Sequence, residues 1–121
     1  MRESASVASA NINKTMSDCI FCKIIAKQIP SEFIYEDDLC VAFKDINPKA
    51  KYHFLIVPKA HIPAVSDIEE SNSALMGHLI FVAKKLGLEK NLAHYKLQFN
   101  VGRGAGQEVF HIHLHLMSDA T

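Results

Sequence analysis

The chain has 121 residues, the size of one domain built on one hydrophobic core. Hydrophobic residues make up 49% of it, which excludes wholesale disorder. Lys+Arg and Asp+Glu balance at 13 each, so the formal net charge is zero, and the basic excess of a protein that coats nucleic acid is absent.

The longest apolar run, Leu79 to Ala83, is far short of the roughly 20 residues that cross a bilayer. No apolar stretch follows Arg2 as it would in a secretory signal. Three cysteines are an odd number, and two form Cys19-x-x-Cys22. That pattern argues against a disulfide scaffold and for a reducing, cytoplasmic setting.

Residues 1–17 are small, polar and aperiodic, and read as a disordered N-terminal extension. A structured domain is expected over 18–121. Asp18 is placed to cap a short helix with Ile20, Phe21, Ile24 and Ile25 on its apolar side. Phe33 to Glu36 reads as a strand, and Leu39, Val41 and Phe43 alternate in a second strand that returns as a hairpin. His53 to Val57 is nearly all apolar up to Pro58, as in a central strand buried on both faces. Ser66-Asp67 marks a helix start. Leu75, Leu79, Val82, Ala83 and Leu86 keep helical spacing, and Gly87 stands where a helix would stop. Tyr95 to Val101 and Val109 to Met117 read as two further strands around a glycine-rich loop, Gly102 to Gln107. The expected fold class is α+β with an antiparallel sheet.

Seven histidines are present, and three fall within five residues, at His111, His113 and His115. Phe110, Ile112, Leu114 and Leu116 alternate with them. In a strand this places the apolar set on one face and the three imidazoles on the other, expected to face solvent, with Cα atoms roughly 6.6–7 Å apart. Such a row fits metal ligation, because His-x-His supplies two ligands. It equally fits nucleophilic catalysis, because a neutral imidazole has a free lone pair at pH 7. The preceding loop is suited to an anion: its glycines let main-chain N–H groups turn toward a phosphate, and Arg103 adds positive charge.

His111-Ile112-His113-Leu114-His115-Leu116-Met117 resembles the His-φ-His-φ-His-φ-φ signature of histidine triad (HIT) proteins, φ being apolar. Asp18 to Ile25, Ala42 to Pro48, His53 to Ile62 and Ala105 to Met117 resemble that family in order and spacing, most closely its nucleotide-binding, purine nucleoside phosphoramidase branch. The resemblance implies a homodimer whose subunits each carry an antiparallel sheet of about five strands with one long and one short helix. It implies attack on the α-phosphorus of a purine nucleotide conjugate, a nucleotidyl-histidine intermediate, and release of the nucleoside monophosphate. By position, His113 is the nucleophile, His115 binds the phosphate and His111 orients the row. Asn100 and the Gly106-Gln107 backbone match α-phosphate positions. Asp45 matches the carboxylate that holds the ribose hydroxyls, and Ile20, Phe21, Ile24, Phe43 and Ile46 match the apolar slot around the base. Glu108 stands where some relatives have a serine on the phosphate. An ionised carboxylate cannot donate a hydrogen bond there, so that role is not carried over.

Cys19 and Cys22 are either two buried cysteines or half of a zinc site. Some HIT relatives bind zinc through such a pair and two histidines, at positions matching His53 and His111. That Cys2His2 set would be structural, and catalysis would need no cofactor. Cys40 reads as a packed strand residue, and His61, His78 and His94 receive no role. The competing readings are a nucleotide-binding or interaction protein with little catalytic activity, and a zinc hydrolase using His111 and His113. Neither a nucleic-acid nor a membrane partner is expected.

Overall fold

The computed structural model describes residues 18–119. The extension expected over 1–17 lies outside the described residues.

Five strands form one antiparallel sheet: β1 (Phe33–Glu36), β2 (Cys40–Lys44), β3 (Tyr52–Pro58), β4 (Lys96–Gln98) and β5 (Leu114–Ser118), in the order β1-β2-β3-β5-β4. As the apolar run predicts, β3 is central, and everything from His53 to Pro58 is buried. The sheet is covered on both faces. Cys40, Ala42, Phe54, Ile56, Leu114 and Leu116 pack with Leu79, Val82, Ala83 and Leu86 of the long helix α2 (Ser73–Glu89). Val41, Phe43, Leu55 and Val57 point the other way and meet Phe21 and Ile24 of the short helix α1 (Ile20–Ile25). Alternation along β2 and β3 therefore separates two apolar faces, not an apolar face from a wet one.

Helix ends depart from the sequence reading. Cys19, not Asp18, caps α1: its Sγ accepts the Cys22 N–H at 3.4 Å. Two short 3-10 turns, Val65–Asp67 and Glu70–Asn72, precede α2, which begins later than Ser66-Asp67 suggests. Glu69 N–H donates to Asn72 Oδ1 at 2.8 Å and closes the second turn. Gly87 does not end α2. It is buried inside the last turns, where an added Cβ would lie 2.6 Å from the Tyr95 ring. The left-handed residue is Asn91, with φ 56°. Asn91 N–H donates to Leu88 C=O and Leu92 N–H to Gly87 C=O, the hydrogen-bond pair of a Schellman stop. Asparagine adopts this backbone more readily than most residues with a side chain, so the close approach of Tyr95 claims the glycine instead.

The β1–β2 turn is tied to α2 through one carboxylate. Asp37 Oδ1 accepts the Leu39 and Cys40 N–H groups at 2.8 and 2.9 Å, and Oδ2 accepts Tyr35 Oη–H at 2.8 Å and meets His78 Nε2 at 2.7 Å. Burial alone would raise its pKa, but these donors outweigh burial and hold the carboxyl below the usual range. A depressed folded pKa means this stabilisation is complete at neutral pH and is lost only as pH falls through the folded value. Asp37→Ala strands several donors and is expected to cost about 2 kcal/mol in urea unfolding at pH 7. An unchanged midpoint would remove Asp37 from the groups that hold α2.

Candidate active site

Only His115 of the histidine row lies within β5; His111, at a bend, and His113 precede it outside any strand. The alternation nonetheless runs through the whole segment. Ile112, Leu114 and Leu116 join the α2-side core, and the three imidazoles take the α1 face. Phe110 does not join that core and lies under the Arg103 guanidinium, 5.8 Å from the ring centre. The row is not solvent-facing as expected: His111 is 0% exposed and His113 9%. Phe21 of α1 sits edge-on to both, 6.0 and 5.1 Å between ring centres, and covers them.

Hydrogen bonds assign each ring its proton. His111 Nε2–H donates to Pro58 C=O at 2.8 Å, so Nδ1 carries a lone pair. His113 Nδ1–H donates to the His111 carbonyl at 2.8 Å, which leaves Nε2 with the lone pair. Burial lowers the pKa of His113, against the opposing pull of the His111 carbonyl and Asp45. Burial, with the neighbouring His113 and His53, brings His115 down to about 4. These rings are neutral at pH 7. The centres of His113 and His115 are 4.9 Å apart.

His53 belongs to the His115 side, and not to the thiols as the resemblance implied. Its Nε2 lies 2.9 Å from His115 Nδ1 and 3.4 Å from Asp45 Oδ2. The reason is register. His53 stands opposite Met117, well beyond His111, whereas the chain after Pro58 runs past His111. There the residue in place is His61, to which sequence reasoning gave no role. Ile112 N–H donates to Ile62 C=O at 2.8 Å and locks this approach. His61 Nδ1 lies 3.2 Å from Cys22 Sγ and 3.2 Å from His111 Nδ1. His111 Nδ1 is in turn 3.4 Å from Cys19 Sγ and 3.5 Å from Cys22 Sγ. Two sulfurs and two nitrogens thus converge.

Four ligands tetrahedrally around zinc, at about 2.3 Å for sulfur and 2.0–2.1 Å for nitrogen, stand about 3.3–3.8 Å apart, close to these separations. Cys19 and Cys22 are free thiols, and burial followed by the neighbouring Cys19 pushes Cys22 up to about 12. A bound cation would reverse that preference for the thiol form. We propose that Cys19, Cys22, His61 and His111 hold a structural zinc. Besides supplying Nδ1, His111 directs its carbonyl to His113, so the cluster stands directly behind the row.

The glycine loop is folded on itself. A 3-10 turn spans Arg103–Ala105, and Gly106 follows with φ 94°. Gly106 N–H donates to Arg103 C=O and Gln107 N–H to Gly102 C=O, so both amides expected to meet phosphate are engaged within the loop here. Asn100 Nδ2 bonds Ala105 C=O at 2.7 Å. The Gln107 side chain is a buried strut, accepting from Gly102 N–H and donating to Pro63 and Val109 carbonyls. Of the expected base slot, Phe21, Ile24 and Phe43 form a buried wall, while Ile20 is exposed and Ile46 is 85% exposed. Glu108 is exposed.

The family model described as scavenger mRNA decapping enzyme C-term binding matches residues 18–121. A protein of Escherichia coli named purine nucleoside phosphoramidase is 44% identical over 102 residues, covering 83% of this chain and 86% of that one. The chain belongs to the histidine triad family. An uncharacterized HIT-like protein of Synechocystis is 45% identical over 101 residues, covering 83% of this chain and 89% of its own. Among solved structures, a HIT family hydrolase from Legionella pneumophila superposes with a TM-score of 0.82 at 43% identity. It covers 86% of this chain and 95% of the other. One from Clostridium thermocellum gives 0.82 at 44%, covering 85% and 91%.

Protein purified without added metal is expected to carry about one zinc per chain by mass spectrometry of the elements. His61→Ala should lose it and His53→Ala should keep it; the opposite pattern would restore His53 as the ligand.

Proposed function

We propose that this HIT protein is a hydrolase that cleaves purine nucleoside 5′-phosphoramidates, or related nucleotidyl conjugates, to the nucleoside monophosphate. The observation that carries the reading is the tautomer of His113. Its Nδ1–H is committed to the His111 carbonyl, so a neutral Nε2 lone pair remains for attack. Nε2 bonds to the α-phosphorus as the phosphorus–nitrogen bond breaks, and the leaving nitrogen keeps the bonding pair, takes a proton from solvent and departs as the amine. Water then cleaves the phosphorus–Nε2 bond, returning a proton to solvent, releasing the monophosphate and restoring His113. His115 donates to the phosphate oxygens, Asp45 holds the ribose hydroxyls, and Phe21, Ile24 and Phe43 wall the base.

A zinc hydrolase built on His111 and His113 is disfavoured. His111 lends its free nitrogen to a cluster that already offers four ligands, and a catalytic zinc keeps a position open. The zinc we propose is structural, and it would fix His111 and its carbonyl. We also propose a homodimer. The edge strand β4 with Tyr95, Leu97 and Val101, and the outer face of α2 with Ile80, Phe81 and Leu88, leave exposed apolar side chains for a second copy. Free thiols at Cys19, Cys22 and Cys40 support a reducing, cytoplasmic setting. No described helix is long and apolar enough to cross a membrane.

His113→Ala is expected to abolish turnover of adenosine 5′-phosphoramidate, by about 10³-fold or more, while AMP binding measured calorimetrically persists. Turnover that survives would overturn the nucleophile, and binding without turnover in the wild type would favour a nucleotide-binding protein with little catalysis. The acid limb of the kcat/KM profile should lie below the ordinary histidine value of about 6.5, because burial keeps His113 neutral to lower pH. A limb above that value would contradict a desolvated nucleophile.

A further inference from the structure

His53 carries no step of the reaction above, yet it is buried and touches two residues that do. The Lys49 main-chain N–H donates to His53 Nδ1 at 3.0 Å. An amide N–H cannot accept, so His53 Nδ1 is unprotonated and the single proton of the neutral ring is on Nε2. Burial lowers the pKa of His53, against the nearby Asp45, which keeps the ring neutral at pH 7. That one proton is hydrogen-bonded to His115 Nδ1 at 2.9 Å, and the Asp45 carboxylate lies in electrostatic contact with the same nitrogen, Oδ2 at 3.4 Å. Where His115 Nδ1 accepts it, the proton of His115 is on Nε2, and that ring becomes a donor to whatever it faces. The direction of the whole chain is thus set by a backbone amide. Asp45 is held in place from two sides: its N–H donates to the His53 carbonyl at 2.9 Å, and its Oδ1 accepts the Asn47 N–H at 2.9 Å.

We propose that His53 is a positioning residue that couples ribose recognition at Asp45 to the phosphate-binding tautomer of His115. The inference rests on the reading that Asp45 takes the ribose hydroxyls and His115 the phosphate. The Asp45 carboxylate, 3.4 Å from Nε2, pulls on that proton through its charge and so draws it from His115. Ribose hydroxyls that donate to Asp45 weaken that pull and leave His53 Nε2–H to His115. His115 is then held with its own Nε2–H available for the phosphate. A sugar without hydroxyls leaves Asp45 competing, and His115 is held less firmly. The sugar is consequently read in kcat as well as in KM.

The test compares kcat and KM for adenosine 5′-phosphoramidate and its 2′,3′-dideoxy counterpart in wild type, His53→Phe and His53→Gln. Phenylalanine keeps the ring volume without a donor, and glutamine returns an amide N–H close to the Nε2 position. In wild type the dideoxy substrate is expected to lose about tenfold in kcat. In His53→Phe, kcat for the ribo substrate should fall about 10- to 100-fold, the range for groups that orient a ring from behind, and the two sugars should give equal kcat. AMP affinity should persist, and His53→Gln should recover part of kcat and of the sugar difference. A wild-type sugar penalty confined to KM would overturn the proposal. So would a sugar difference that survives in His53→Phe, or a glutamine variant no better than phenylalanine. Should the variants fail to fold, 15N NMR of the wild-type imidazoles decides. An unprotonated Nδ1 and a protonated Nε2 at His115 are expected, with the His53 Nε2 shift responding to AMP and not to 2′,3′-dideoxy-AMP. A protonated His115 Nδ1, or an equal response to both nucleotides, would overturn the coupling. This measurement needs no turnover, so it stands or falls separately from the His113→Ala assay.

Discussion

The pairing register between β3 and β5 is the constraint on which the site depends. Leu55 faces His115, Ile56 faces Leu114 and Phe54 faces Leu116. A slip of one residue would exchange the faces of β5, sending the imidazoles under α2 and the leucines toward α1. Both faces are covered, so such a slip would bury polar rings in the apolar core under α2 and is strongly disfavoured. The register that satisfies the core is therefore the one that gathers the histidines.

Given that register, main-chain groups do much of the chemical preparation. Pro58 C=O takes the proton of His111, His111 C=O takes that of His113, and Lys49 N–H excludes one from His53 Nδ1. Each of these groups is held by the fold and needs no further ordering, so the tautomers are set before any ligand arrives. The same rings divide into two groups. His111 and His61 converge with the two thiols, while His113, His115 and His53 lie toward Asp45. One row of alternating residues so contributes to a cluster of two thiols and two imidazoles at one end and to a group of imidazoles beside Asp45 at the other.

The glycine loop is organised by its own hydrogen bonds. Its amides at Gly106 and Gln107 are satisfied internally, and the loop is braced by Asn100 and the buried Gln107 side chain. A phosphate would have to compete with those internal bonds.

Much of this was legible in the residues. The strict alternation from Phe110 to Met117 determined that three imidazoles share a face, and the apolar run of β3 determined that it lies at the centre of the sheet. Local patterns of this kind depend only on strand periodicity, which any sequence carries in itself. Helix ends were less legible, because Gly87 answers to Tyr95 and Cys19 caps where Asp18 was available. The choice between His53 and His61 was not legible at all. His53 lies in β3 and His61 just beyond its end, eight positions along the chain. Only strand pairing places one beside the thiols and the other beside Asp45, because distance between elements is a property of the folded sheet and not of spacing along the chain.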